Sequence, residues 1–154
     1  MSRLDYCNGL LYETTAQNME RLQVTQNSLS RVVCQATGSS SATELRRSLH
    51  WLPVKQRVDY KVAVIAYKTH STGVPFYLST LIKDYEPSRS LRSSDRLLLR
   101  PPCVKLVSSQ KAFSVNAPIV WNSLSFNCRS AQSLSSFKRI LKTDLFAIAY
   151  SSPT

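Results

Sequence analysis

The sequence predicts a mainly α fold, in which a helical N-terminal lobe is followed by a smaller α+β C-terminal lobe with a short β-hairpin. Apolar residues recur at spacings of three and four through the first half of the chain, a pattern typical of amphipathic helices. A polar stretch rich in Ser, Pro and Arg follows, and beyond it short β-prone runs stand between prolines. We therefore predict a helical segment at 1–85, a Ser/Arg-rich loop at 86–95 and a basic α+β segment at 96–154.

The first helix is predicted over residues 15–36, because one face of this stretch carries mostly apolar side chains at helical spacing. The residues on that face are Met19, Leu22, Gln26, Leu29 and Val33. Thr14 and Gln17 have the spacing of a capping box, in which each side chain binds a backbone N–H at the start of a helix. Gly38 and the serines after it are expected to form the loop that follows the helix.

Three further helices are predicted in the N-terminal segment. Ser41 and Glu44 form a second capping-box pattern ahead of a short helix. Pro53 stands where the first turn of the next helix tolerates a missing N–H, and this helix continues to His70. Gly73 is expected to end it, and a short apolar helix follows over residues 76–82.

The sequence of the C-terminal segment predicts both short strands and helices. Residues 96–100, 104–107 and 112–115 are short β-prone runs bounded by prolines, which indicates a small hairpin or irregular sheet. Pro118 is expected to start a short helix, and the last helix is expected to begin near Ser133.

Charge indicates the class of partner. The chain has 20 Lys and Arg against 9 Asp and Glu, a formal net charge of +11. In the last third of the chain, Lys and Arg far outnumber the single acid, Asp144. Such a field attracts polyanions, so nonspecific binding of RNA or DNA through the backbone is predicted. A solvated basic surface, an acidic protein partner and an anionic membrane surface are the alternatives that charge alone leaves open.

Composition and motifs exclude several classes. No apolar run approaches the roughly 20 residues that span a bilayer, and no signal-peptide pattern follows Met1, so we predict an intracellular protein, cytoplasmic and/or nuclear, that is not secreted and has no membrane partner. The four cysteines are spread singly and the two histidines lie far from them, so neither a metal site nor a cofactor is predicted. Paired carboxylates, a glycine-rich phosphate loop and a nucleophile elbow are all missing, so we predict no enzymatic activity and no catalytic residues.

Two groups of cations are candidate nucleic-acid ligands, because guanidinium and ammonium groups at helical or near-helical spacing can follow one phosphate backbone. They are Arg89, Arg92, Arg96, Arg100, Lys138, Arg139 and Lys142. The alternative for both groups is charge that only faces solvent.

Four further residues form a structural motif. His50 and Trp51 belong to a hinge that ends at Pro53, and Trp51 is interpreted mainly as a hydrophobic staple onto the next helix, with base stacking as the alternative. Trp121 lies among apolar neighbours, which favours packing in the core.

Three ordered blocks of the sequence resemble a known family. The first is SRLDYCNGLLY at 2–12 with RLQVTQN at 21–27, and the second is LHWLPVKQR at 49–57. The third comprises PSRSLRSS at 87–94, AFSV at 112–115, APIVWNSL at 117–124, SFKR at 136–139 and LKT at 141–143. Together they resemble the region that follows the palm domain in jockey-like, LINE-type non-LTR retrotransposon reverse transcriptases.

This resemblance implies that residues 1–85 form a thumb-like helical segment and that the polymerase aspartates and the endonuclease lie outside this sequence. It implies a non-catalytic fragment of an RNA-directed DNA polymerase, with the upstream polymerase domain as a further partner and an apolar face left without its packing partners. The alternative is a truncated transposon relic or a protein-interaction fragment with no selected activity.

Overall fold

The computed structural model describes residues 5, 7–86, 97–104, 109 and 111–151. A 3₁₀ helix at Asn8–Leu11 precedes the α-helices. In chain order, the α-helices of the described residues are α1 Ala16–Val33, α2 Ala42–Ser48, α3 Val54–Thr72, α4 Phe76–Ser79, α5 Phe113–Ser123, α6 Phe126–Arg129 and α7 Leu134–Tyr150. These described ranges contain no β-strand.

Most helix ends lie where local chemistry predicts them. The Ser41 hydroxyl accepts the backbone N–H of Glu44 at the start of α2, and Ser133 caps α7 in the same way. Gly73 ends α3 with a φ of 66°, a left-handed conformation that glycine adopts without a Cβ clash. The start of α1 differs from the prediction by one residue, since Thr15 rather than Thr14 accepts the capping bond.

The core forms where α3 packs against α5 and α7. Tyr67 of α3 stacks on Phe137 of α7 with ring centroids 4.3 Å apart, and Trp121 of α5 stacks on the same Phe137 at 5.9 Å. The largest group of buried apolar residues extends from Leu52 to Leu145 and includes residues on both sides of 86–95. Among the described residues, the helices before and after the predicted loop therefore share one core.

The predicted β-hairpin is also wrong within the described residues. Leu99 makes one isolated antiparallel bridge to Asp84, and the main-chain groups of Leu99 are bound by a side chain instead of a second strand. The amide of Asn122 accepts from the Leu99 N–H at 2.9 Å and donates to the Leu99 carbonyl at 2.8 Å. Because these backbone groups are already satisfied, residues 97–100 need no further strand. The predicted run at 104–107 lies largely outside the described residues.

Residues 113–115, predicted to be extended, instead form the first turn of α5 after its N-cap Ala112, and Pro118 lies inside this helix and does not start it. Proline in a helix interior removes one hydrogen bond and costs about 3 kcal/mol. The helical conformation of α5 places Val115, Val120 and Trp121 in the core, where all three are buried. Burial of each large apolar side chain contributes about 1.5–3 kcal/mol to stability. Tertiary burial therefore outweighs the local preference for an extended conformation.

The face that α1 buries agrees with the predicted one up to Gln26, since Met19 and Leu22 are half-buried, and differs from it in the last two turns. Gln26 and Ser30 are fully buried, whereas Leu29 is 42% exposed and Val33 is 52% exposed. Gln26 is held inside because its side-chain amide donates to the Leu52 carbonyl at 2.8 Å. Polar contacts to the start of α3 therefore help to orient this helix.

Candidate nucleic-acid interface

The basic residues of α7 lie on its exposed side. Lys138, Arg139 and Lys142 are all exposed, while Phe137 and Leu141 on the same helix are fully buried. No ion pair to these three cations occurs among the described residues. The one acid of α7, Asp144, accepts from the Ser125 hydroxyl at 2.7 Å and is turned toward α6. This side of α7, which we call the basic face, therefore carries uncompensated positive charge.

The packing of α7 against α3 brings the basic face to the hinge motif. Phe137 meets Tyr67, and near the other end of the helix the Tyr150 hydroxyl donates to the Trp51 carbonyl, so the two helices run antiparallel. A surface pocket of about 260 Å³ lies at this end. Its lining residues are His50, Trp51, Leu52, Arg57, Tyr60 and Lys142. We call it the Trp51 pocket.

The Trp51 pocket combines aromatic rings with cations. The Arg57 guanidinium lies 5.8 Å from the centre of the Trp51 ring, within range of a cation–π interaction. Arg57 is itself fixed by Asp5 at 3.0 Å and by the Leu52 carbonyl at 3.1 Å. Burial raises the pKa of the Tyr60 phenol above its usual value. Lys142 is consequently the cation at the pocket with no carboxylate partner among the described residues.

His50 and Pro53 set the position of Trp51. His50 adopts a left-handed conformation with a φ of 53° directly after α2. Its N–H bonds the Arg47 carbonyl and the Trp51 N–H bonds the Arg46 carbonyl, which is the pattern of a Schellman motif. Pro53 then caps α3, and the His50 ring stacks on Phe146 of α7 at 5.8 Å. These contacts fix the backbone on both sides of Trp51.

The other candidates lie elsewhere. Trp121 is 2% exposed and donates from its indole nitrogen to the Leu97 carbonyl at 2.8 Å, a core position that agrees with the packing interpretation. Arg100 is exposed and its N–H bonds the Lys83 carbonyl, beside the bridge at Asp84, which contacts His70. Ten residues of helix separate His70 from Tyr60, about 15 Å along the axis. Arg100 is thus remote from the Trp51 pocket, and Arg89, Arg92 and Arg96 lie outside the described residues.

Sequence reasoning missed Arg57, Tyr60 and Phe146 as members of the site. A signal for the first two was present, because Arg57 and Tyr60 are three residues apart and share one side of α3. No local pattern indicated that Phe146 would meet His50, since this contact depends on the antiparallel packing of α7.

A larger groove of about 850 Å³ lies between α1, α3, α5 and α7, and its chemistry does not suit a polyanion. Three carboxylates, Glu13, Glu20 and Asp59, line it together with Lys55 over an apolar floor. Burial raises the pKa of Asp59, Lys55 opposes this shift, and Glu13 adds to it. Because its carboxylates would repel phosphates, this groove is a poor candidate for a nucleic-acid site despite its larger volume.

Asp59→Asn is expected to raise the thermal midpoint of unfolding at pH 7. The folded state binds the Asp59 proton more tightly than the unfolded state does, so stability falls as pH rises from the ordinary aspartate pKa through the raised one. The neutral amide avoids that loss, and the gain should disappear at pH 3, below the ordinary pKa of about 3.9. Thermal unfolding at both pH values measures this effect. Glu20→Gln, at an exposed position of the same groove, is the control and should change neither midpoint.

The cysteines are not part of the Trp51 pocket or of the basic face. Cys7, Cys34, Cys103 and Cys128 are free thiols, and burial raises the pKa of the Cys128 thiol to about 11. Across the described ranges, no cluster of three or more His, Cys, Asp and Glu side chains is arranged to hold a metal ion. No helix in the same ranges has the length and apolar character needed to cross a membrane.

The site and fold together define a basic, helical chain with an aromatic and cationic surface pocket. No known protein family, curated protein or solved structure matches this chain.

Proposed function

We propose that this chain binds RNA or DNA through the phosphate backbone, without reading base sequence and without catalysing a reaction. The carrying observation is the basic face of α7, where Lys138, Arg139 and Lys142 are exposed and have no ion-pair partner among the described residues. Exposed cations of this kind release counterions when they contact phosphates, which supplies most of nonspecific binding free energy. Phosphate contacts position a protein on a nucleic acid and do not discriminate bases.

The proposal also covers the family from which the chain derives, which the three sequence blocks suggest. The chain is proposed to be the thumb and C-terminal part of a non-LTR retrotransposon reverse transcriptase, with the polymerase domain as its further partner. The second block, LHWLPVKQR at 49–57, supports the idea that these residues act as a unit, because it contains four of the six residues that line the Trp51 pocket.

A second candidate function is protein interaction by a fragment without selected nucleic-acid activity. The observation in its favour is the apolar surface at the end of α1, where Val32 is 73% exposed beside Leu29 and Val33. Hydrophobic association of this kind does not weaken as salt rises, whereas counterion release makes phosphate binding strongly salt-dependent.

Salt titration of binding tests the proposal. A variant with Lys138→Ala, Arg139→Ala and Lys142→Ala is expected to flatten the plot of log affinity against log salt by up to about two units for single strands and almost three for duplex. Fluorescence anisotropy of labelled RNA and DNA over a salt series measures both slopes. The loss should be alike for different base sequences.

The control removes the same total charge elsewhere. Arg21→Ala, Lys83→Ala and Lys111→Ala replace three exposed cations on other parts of the surface and should leave the slope almost unchanged. An equal change in both triple variants would contradict binding by the basic face. Wild-type binding that is independent of salt would favour the protein-interaction candidate.

A further inference from the structure

The Trp51 pocket carries a second inference, which rests on the proposed function and narrows its ligand. We propose that this pocket takes one unpaired base of a single strand, so that the protein prefers single-stranded to double-stranded nucleic acid. The base would contact the rings of Trp51 and Tyr60, while Lys142 contacts the adjoining phosphate.

The size and composition of the pocket support one flat ring as its occupant. Its volume of about 260 Å³ lies below the roughly 300–1,000 Å³ of pockets that hold whole drug-sized ligands. Aromatic side chains bind bases of any sequence, because every base offers a π-face. The Arg57 guanidinium already covers part of the Trp51 ring and is held by Asp5, so it forms a fixed wall that does not have to reorganise.

The position of the pocket links base and backbone binding. Lys142 belongs both to the pocket lining and to the basic face of α7, and Lys138 lies one helical turn before it on the same helix. A strand that follows this face therefore passes the mouth of the pocket. In a duplex each base is paired and stacked, so occupation of the pocket would require unpairing at a cost of a few kcal/mol.

The main chain that carries the Trp51 indole is held in place before a ligand arrives, and the Arg57 guanidinium lies over the ring. The left-handed His50, the cap at Pro53 and the bond from the Tyr150 hydroxyl to the Trp51 carbonyl fix the main chain. A preordered ring loses little conformational entropy when a base stacks on it.

Tryptophan fluorescence provides a direct test, because the chain has two tryptophans and only one is accessible. Trp121 is 2% exposed in the core, so a change in emission on binding reports Trp51. The probes are single strands of RNA and of DNA about a dozen nucleotides long, a duplex of equal length, and an abasic phosphodiester chain. Both single strands should quench the emission, whereas the duplex and the abasic chain should bind with little quenching.

Variants identify the residue responsible. Trp51→Phe keeps an apolar ring and retains Trp121 as an internal report on folding, and it should abolish the quenching. Trp51→Ala should weaken single-strand binding by about 5- to 150-fold, the range found for removal of one stacked base contact, and should leave the salt slope unchanged. Tyr77→Leu, at an exposed aromatic outside the pocket, is the control and should alter neither quantity.

The outcomes separate this inference from the proposed function. Salt-dependent binding of all four probes with equal affinity and without quenching would overturn the base pocket and leave backbone binding intact. Failure of every probe to bind would overturn both. Quenching by one single strand and not by the other would support the pocket and assign it to RNA or to DNA.

Discussion

Phe137→Ala is expected to lower the free energy of unfolding by about 3–5 kcal/mol, the cost typical of removing a fully buried aromatic ring. Phe137 is 0% exposed and stacks on both Tyr67 and Trp121. Its removal leaves a cavity where α3, α5 and α7 meet, and neighbouring helices can only partly collapse into it. Since domains of this kind are stable by only about 5–15 kcal/mol, a large part of the total stability should be lost.

Urea denaturation followed by circular dichroism measures this effect. Phe126→Ala is the matched control, because Phe126 is 55% exposed in α6 and its truncation should cost less than about 1 kcal/mol. Equal losses in the two variants would contradict the position of the core. They would show that Phe126 is covered by packing that differs from the structure described above.

Native-state hydrogen exchange should show α3 to be far better protected than α1. The slowest amides of α3 should exchange at least roughly a hundredfold more slowly, which corresponds to about 2.8 kcal/mol in opening free energy. In α3 the buried positions are mostly apolar and contact α5 and α7, whereas the two buried residues of α1 are polar. Few buried apolar contacts allow α1 to open while the core stays folded.

Phe137→Ala distinguishes local opening of α1 from opening of the whole core. It should increase exchange in α3, whose slowest amides open with the whole core, and should hardly change exchange in α1, which opens separately. Equal protection of the slowest amides in α1 and α3 of the wild-type chain would contradict this division. The chain would then unfold as a single cooperative unit.

Several helix boundaries could be predicted from the sequence, because they depend on chemistry that acts locally. Ser41, Gly73 and Ser133 begin or end helices through hydrogen bonds and φ angles within one turn. The net charge of +11, a sum over the whole chain, predicts a polyanionic partner, and that partner stays a prediction. The cations of α7 were found in this way, although their role stays a prediction.

The arrangement of these elements was decided only by the tertiary structure. Residues 112–115 have β-prone side chains, yet burial of Val115 and Trp121 stabilises a helix there in spite of Pro118. Leu29 and Val33 of α1 match an apolar face, yet both are exposed, whereas the polar residues Gln26 and Ser30 are fully buried and Gln26 is held by its hydrogen bond to Leu52. In both cases partners distant in sequence outweigh propensities that amount to about 1 kcal/mol or less per residue.

The Trp51 pocket was likewise decided only by the tertiary structure. The motif at 49–57 marked His50 and Trp51, and helical spacing marked Lys142, but nothing in the sequence placed these residues next to each other. They meet because α7 packs antiparallel on α3, which brings residues about 90 positions apart along the chain to one surface. Local chemistry determined what each residue can bind, whereas packing of the core determined which residues can bind together.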